Sequence, residues 1–194
     1  MTVIPEGALR FEFDDEVWNA LKWDEHAAYI HGIGRLQGAL TDVAKTPPVK
    51  RSEGTKAVDI VALHAHGLYL IEVKDFRGHA QQNAYRQEEE LPLEVGLKVR
   101  DTVAGIVGAH TSGRHSGLLA PFARALIEGR PVQVIAWILD GTSGSANLRR
   151  KHSIMDNTRQ KKLAQRLGWL THQVWVDDPL DPSVPLPGLQ VRQV

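Results

Sequence analysis

The chain has 194 residues, of which 42% are hydrophobic and 24% charged, and its acidic and basic side chains balance to a formal net charge of zero. This composition is that of a soluble globular domain. The absence of cysteine excludes disulfides and thiolate metal sites and agrees with a cytoplasmic location, which we expect. We expect no signal peptide and no membrane contact, because no apolar run approaches the ~20 residues that span a bilayer.

Charge is distributed unevenly along the chain. Residues 1–30 are rich in acids, whereas residues 145–170 carry seven bases and one acid. A basic segment in a neutral protein either contacts phosphates or forms a solvated helix face. Composition alone does not decide between the two.

The first half of the chain predicts one helix and two strands. Residues 14–36, "DDEVWNALKWDEHAAYIHGIGRL", are expected to contain a helix whose start the pattern does not define to within several residues. Residues 45–56, with two prolines and a glycine, predict a loop. Residues 57–76, "AVDIVALHAHGLYLIEVKDF", contain two apolar runs around a short His/Gly turn. They predict an antiparallel hairpin.

The second half predicts alternating helices and strands. Apolar spacing predicts helices over 93–110, 118–129 and 156–169. The apolar run 132–140 predicts a buried strand, and residues 172–179 predict a last short strand. We therefore predict a single α/β domain over residues 1–194, with a mixed β-sheet flanked by helices, a core over about 15–177 and a proline-rich tail over 178–194.

The predicted hairpin brings three charged side chains together. Glu72 and Lys74 are two residues apart, so they point to the same face of their strand. A two-residue turn at 65–66 would place Asp59 opposite position 72, and a turn at 66–67 would place it opposite position 74. Either turn puts Asp59 on the face of Glu72 and Lys74.

Two carboxylates in apolar surroundings repel each other unless a proton or a cation neutralises them. Mg²⁺ prefers hard oxygen ligands, and a lysine beside a metal-bound water can orient that water. The alternative is a half-exposed ion pair worth only ~0–1 kcal/mol. On the residues alone, both interpretations stay open.

The pattern of Asp59 followed by Glu72-Val73-Lys74 resembles the PD-(D/E)xK nuclease superfamily, which has the restriction-endonuclease-like fold. The resemblance covers roughly residues 15–140. It implies that Asp59 and Glu72 bind Mg²⁺ or Mn²⁺, that the backbone carbonyl of Val73 is a third ligand, and that Lys74 positions the attacking water. Val58 stands where the motif has its proline.

Some members of this superfamily add another acid to the metal site. Glu16, Glu25 and Glu53 are the candidates here, and the sequence does not choose among them. On the predicted helix after the hairpin, Lys98 and Arg100 either hold a phosphate or face solvent.

The resemblance gives the basic segment a candidate role in nucleic-acid binding. Its candidate contacts are Arg149, Arg150, Lys151, Arg159, Lys162 and Arg166. Three of these bases, at positions 159, 162 and 166, share one helix face at spacings of three and four.

The sequence therefore predicts a metal-dependent nuclease that hydrolyses phosphodiester bonds of DNA, as a component of a DNA-processing or phage-defence system. The alternative is an inactive nucleic-acid-binding or protein-interaction module of the same fold. The expected partner is nucleic acid, DNA in preference to RNA, and the assembly is left open between a homodimer and a larger complex.

Overall fold

The computed structural model describes residues 1–36, 38–42, 49–77, 90–113, 115–139 and 146–194. Within these ranges, the side chains of 38–42, 49–53, 116 and 146–154 are not described.

The described chain contains ten strands and four α-helices. The strands are β1 (Thr2–Glu6), β2 (Leu9–Phe13), β3 (Trp18–Lys22), β4 (Gly38–Asp42), β5 (Val49–Glu53), β6 (Ile60–His64), β7 (Gly67–Asp75), β8 (Val132–Leu139), β9 (Val174–Asp177) and β10 (Leu189–Gln193). The helices are α1 (Ala27–Ile30), α2 (Leu91–Thr111), α3 (Ser116–Ile127) and α4 (Ala146–Leu167), and a 3-10 helix covers Ile33–Leu36.

The central element is a mixed five-stranded sheet in the order β3-β6-β7-β8-β9. Its first three strands pair antiparallel, and β7-β8 and β8-β9 pair parallel. A three-stranded antiparallel sheet, β1-β2-β10, and the β4-β5 pair complete the described strands. The predicted mixed α/β class is confirmed.

Alternation along the central strands divides the core between the two faces of this sheet. On β7, Leu68 and Leu70 pack with buried residues of α2, α3 and α4. Tyr69 and Ile71 point to the other face and join the cluster that includes the three-stranded sheet. There the Trp137 ring of β8 stacks on Phe11 of β2, with centroids 5.2 Å apart. Because both faces are covered, β8 is buried along its whole length.

Three elements differ from the sequence prediction. The helix predicted within residues 14–36 is present as the short α1, whereas residues 18–22 of the same stretch form β3 and pair with β6. Residues 49–53, predicted as loop, form β5. The predicted tail contains β10, which pairs with β2. For β3 and β10, strand pairing with a distant segment outweighs the local pattern, whereas β5 pairs with the preceding strand β4.

The other elements follow their patterns closely. The three predicted helices of the second half are present as α2, α3 and α4, and the strands predicted over 132–140 and 172–179 as β8 and β9. The α3 helix stops before Gly129, whose φ of +70° suits glycine. In the described part of the chain, none of the helices combines the length and apolar character needed to span a bilayer.

Candidate functional site: a buried charge cluster beside the central hairpin

The β6-β7 turn sets the register of the charged residues. His64 pairs with Gly67, so the turn consists of residues 65 and 66, the first of the two predicted alternatives. Ile60 pairs with Ile71, and the same register places Asp59 beside Glu72. Alternation puts positions 59, 72 and 74 on the sheet face that α2 covers.

Two hydrogen bonds hold Asp59 in place, one to its side chain and one to its backbone carbonyl. Its Oδ2 accepts a hydrogen bond from the backbone N–H of Val73 at 2.7 Å. Its carbonyl oxygen accepts one from the N–H of Trp23 at 2.8 Å. Only 6% of Asp59 is exposed, so a carboxylate is held in a fixed place between β3 and β7.

The helix α2 holds the segment that leads into β6. The backbone N–H of Lys56 donates to Asp101 Oδ2 at 2.9 Å, and that of Val58 donates to Thr102 Oγ1 at 3.1 Å. Both acceptors are buried. These contacts position the backbone immediately before Asp59, because they satisfy donors that the sheet does not pair.

Glu72 is fully buried and lies between two ammonium groups. Its Oε1 is 2.6 Å from Lys98 Nζ and 3.1 Å from Lys74 Nζ. Lys98 Nζ is also 3.6 Å from Asp59 Oδ1, and Lys74 Nζ lies 2.9 Å from Glu94 Oε1. In this charge cluster, three carboxylates share two lysines.

The two carboxylate oxygens of Glu72 differ in their surroundings, because both lysine contacts are made by Oε1. Oε2 is buried and has no hydrogen-bond donor among the described residues. Burial, and then the charge of Asp59, raise the Glu72 pKa to about 7, against the opposing effects of Lys98 and Lys74. The carboxyl is therefore poised to gain or lose a proton near neutral pH.

Lys74 and Glu94, next to Glu72, are stabilised in their charged forms. Burial favours the neutral form of Lys74, but Glu72 and Glu94 outweigh it and raise the Lys74 pKa. Burial also opposes the charge of Glu94, but the hydrogen bond and charge of Lys74 prevail and lower the Glu94 pKa. Neighbouring groups with pKa values shifted in different directions are common at sites that catalyse reactions or bind ions.

Asp59 also belongs to a second group of carboxylates, on the side of Glu6 and Asp24. Carboxylate oxygens of Glu6, Asp24 and Asp59 lie within 4.8 Å of one another. The ammonium of Lys22 pairs with Glu6 and lies 3.0 Å from Asp24 Oδ1. Hard oxygen ligands in this arrangement match the preference of Mg²⁺, and Lys22 supplies a positive charge there.

The three candidate additional ligands lie elsewhere or outside the described side chains. Glu16 is exposed in the turn before β3. The Glu25 side chain is 75% exposed, and its Oε1 is 3.9 Å from Lys22 Nζ. Glu53 ends β5, where side chains are not described. The structure therefore brings Glu6 and Asp24 to Asp59 instead of Glu16 or Glu25.

The predicted nucleic-acid contacts are dispersed. Lys98 is mostly buried and contacts Glu72, whereas Arg100 is 59% exposed and pairs with Asp101. Arg159 is 1% exposed and pairs with Asp156 at 2.8 Å, so it does not present its guanidinium to a nucleic-acid backbone. Spacing places Arg159 on the side of α4 that also carries Lys162 and Arg166, but its side chain is buried whereas that of Arg166 is exposed.

The remaining predicted bases lie on or near α4. Lys162 is half-buried and Arg166 exposed. Residues 149, 150 and 151 belong to α4, but their side chains lie outside the described residues.

Glu6, Asp24 and Glu94 belong to the charged site but are not among the residues predicted from the sequence. Glu94 could have been predicted from the sequence, because it precedes Lys98 by four residues and shares its helix face. Asp24 required recognising residues 18–22 as a strand beside β6. Glu6 comes from a hairpin whose position depends on tertiary packing, and no local signal indicates it.

Comparison with known proteins gave one informative likeness. No protein-family model matches the chain, and no solved structure matches it. The chain is 33% identical over 120 residues to the cysteine–tRNA ligase of Neisseria meningitidis serogroup A. The likeness covers 56% of this chain and spans 17% of the length of the ligase.

This likeness corrects the function predicted from the sequence. A metal-dependent DNA nuclease, with the attached descriptions of hydrolase, phage defence and DNA binding, is contradicted, because the similar protein is a tRNA ligase. The charged motif misled the interpretation, since an acid, a second acid and a lysine on a hairpin also form a buried ion-pair cluster.

Proposed function

We propose that this chain is a tRNA-directed domain that works within or beside an aminoacyl-tRNA ligase. The observation that carries the proposal is the 33% identity over 120 residues to a cysteine–tRNA ligase. A shared segment of that length has the size of one structural domain. Because it spans only 17% of the ligase, we assign this chain an auxiliary role rather than the whole ligation reaction.

RNA is the partner that fits this role. A ligase that acts on tRNA must hold an RNA molecule, and appended domains commonly add affinity through contacts with the phosphate backbone. The exposed cations of α4, including Lys161 and Arg166, support a role in such contacts.

We also propose that a divalent cation, Mg²⁺ or Mn²⁺, binds at Asp59 with Glu6 and Asp24. The support is the grouping of their carboxylate oxygens within 4.8 Å of one another. A bound cation would supply positive charge that can bridge to a phosphate oxygen. The backbone contact from Val73 keeps Asp59 oriented whether or not a cation is present.

The architecture supports a likeness to the restriction-endonuclease-like fold, which we retain as a proposal about the fold alone. Its support is the antiparallel β6-β7 hairpin followed by the parallel strand β8, with helices on the face that carries Glu72. This proposal carries no nuclease activity.

Binding of deacylated tRNA tests the proposed function. Fluorescence anisotropy of labelled tRNA should give saturable binding, and a DNA duplex of matched length should compete at least tenfold less well. Equal competition by the DNA duplex, or no binding of tRNA at physiological salt, would refute the proposal.

Calorimetry with Mn²⁺ tests the cation site independently of RNA. Asp59→Asn should abolish the binding heat, whereas Glu25→Gln, which removes an exposed acid outside the cluster, should leave it unchanged. Identical isotherms for the wild type and Asp59→Asn would refute the site.

A further inference from the structure

The outer face of α4 forms the wall of an open groove of about 690 Å³. Its lining includes Thr158, Lys161, Lys162, Gln165, Gly168 and His172. Residues 158, 161, 162 and 165 are three or four apart, so they occupy one face of α4, and Gly168 follows the end of the helix. The opposite face, at positions 159, 163 and 167, is buried against the sheet.

The groove is positively charged and rich in hydrogen-bonding groups. Among the described residues, two lysines line it together with an amide, a hydroxyl and an imidazole. His172 closes the groove where the chain turns toward β9, and its Cε1 lies 3.5 Å from where a Cβ on Gly168 would stand. A Cβ at position 168 would make only an ordinary van der Waals contact with His172, so the imidazole bounds this end of the groove.

An exposed indole follows the groove directly in the chain. Trp169 comes after Gly168 and is 57% exposed, whereas Trp18, Trp23 and Trp137 are at most 3% exposed. Trp175, the fifth tryptophan, is only partly exposed. An exposed indole offers a flat face on which a base can stack.

A lysine-bearing helix face that is followed in the chain by an exposed aromatic residue favours a nucleic acid over a protein as the partner. Protein interfaces are depleted in lysine and enriched in aromatic residues. Single-stranded nucleic acid uses both, because the phosphates pair with cations while the bases stack on rings. A double helix keeps its bases stacked internally and does not offer them to Trp169.

We propose that the α4 groove binds a single-stranded segment of RNA, with phosphates at Lys161 and Lys162 and one base stacked on Trp169. The inference rests on the proposed function for its choice of RNA. It adds where the RNA binds and that the bound segment is unpaired.

Intrinsic fluorescence gives a direct readout of the stacked base. Titration with a single-stranded oligouridylate should quench the emission of the wild-type protein, because Trp169 is the most exposed of the five tryptophans. Trp169→Ala should lose this quenching and bind about 5- to 150-fold more weakly by anisotropy of labelled oligouridylate, the range expected for one base stack. Trp169→Phe should recover most of the affinity.

Salt dependence tests the two lysines separately from the ring. Lys161→Ala with Lys162→Ala should lower the slope of log Kd against log salt concentration by about 1.4, since each single-strand phosphate contact contributes about 0.7. Arg124→Ala, which removes an exposed cation from α3, should leave the slope unchanged. Thermal melting followed by circular dichroism checks that every variant folds.

The outcomes separate this inference from the function on which it rests. Binding of tRNA with unchanged affinity in Trp169→Ala and in the double lysine variant would overturn the groove and leave the function standing. Binding of oligouridylate that depends on these residues, without binding of tRNA, would uphold the groove and overturn the function. Equal affinity for single- and double-stranded RNA, or no RNA binding at all, would overturn the groove.

Discussion

The raised pKa of Glu72 makes a quantitative prediction about stability. The folded protein holds a proton on this carboxyl up to a pKa of about 7, against an ordinary value of 4.5. Between these values the folded state binds more protons than the unfolded state, so stability falls as pH rises. At 1.36 kcal/mol for each pKa unit, the change amounts to ~3 kcal/mol. Solvent does not screen this carboxyl, because the Glu72 side chain is only 1% exposed.

Glu72→Gln removes the titration and keeps the shape of the side chain. The free energy of unfolding of the wild type should fall by ~3 kcal/mol relative to Glu72→Gln between pH 4.5 and pH 8. Urea titrations followed by circular dichroism, with a chelator present to exclude divalent cations, measure both proteins across this range.

Glu94→Gln is the matched control. The Glu94 pKa is lowered from its ordinary value of 4.5, so its stabilising contribution is complete well above that value and is lost as the pH falls toward it, opposite to the trend for Glu72. Between about pH 6 and pH 8, Glu94→Gln should therefore keep the pH dependence of the wild type. If the wild type and Glu72→Gln differ by a constant amount from pH 4.5 to pH 8, the assignment of a buried, proton-binding carboxyl is wrong.

Three further substitutions test the packing around the site. Lys98→Met removes the closest cation from Glu72 and should lower the free energy of unfolding by ~3 kcal/mol or more at pH 8. The loss should be smaller at pH 5, where the Glu72 carboxyl is protonated. An equal loss at both pH values would count against the ion pair. Trp137→Ala should cost ~3–5 kcal/mol in urea unfolding, because it removes a buried ring stacked between the two sheets, and a loss below ~1 kcal/mol would contradict that packing. Gly67→Ala should cost ~3 kcal/mol or more, because its φ is +145° and a Cβ would lie 2.3 Å from the Pro131 carbonyl oxygen. Gly113→Ala, with a φ of +73° but open space around it, should cost only ~1 kcal/mol, so equal losses for the two glycines would refute the clash.

The charged hairpin shows how far a local pattern leads. The two-residue turn and strand alternation were enough to predict that Asp59, Glu72 and Lys74 share a face, and the structure confirms this geometry. The same pattern led to the wrong function, because motif geometry specifies which charges meet but not what they act on. Similarity to a tRNA ligase, which the pattern does not contain, supplied that correction.

The sequence by itself determined the elements whose periodicity is long and regular. The helices α2 and α3, the buried strand β8 and the hairpin β6-β7 all follow from apolar spacing and turn residues, since these signals arise within the segment itself. The fold class follows from their order along the chain.

Only the tertiary structure decided the rest of the charged site. Residues 18–22 have a weak local preference and become a strand because β6 offers backbone partners, which brings Asp24 to Asp59. Glu6 reaches the same place from the N-terminal hairpin, and Lys98 reaches Glu72 because α2 packs across the sheet. Contacts between segments far apart in the chain leave no periodic signal, since each side chain meets its partner only after the sheet and helices have assembled.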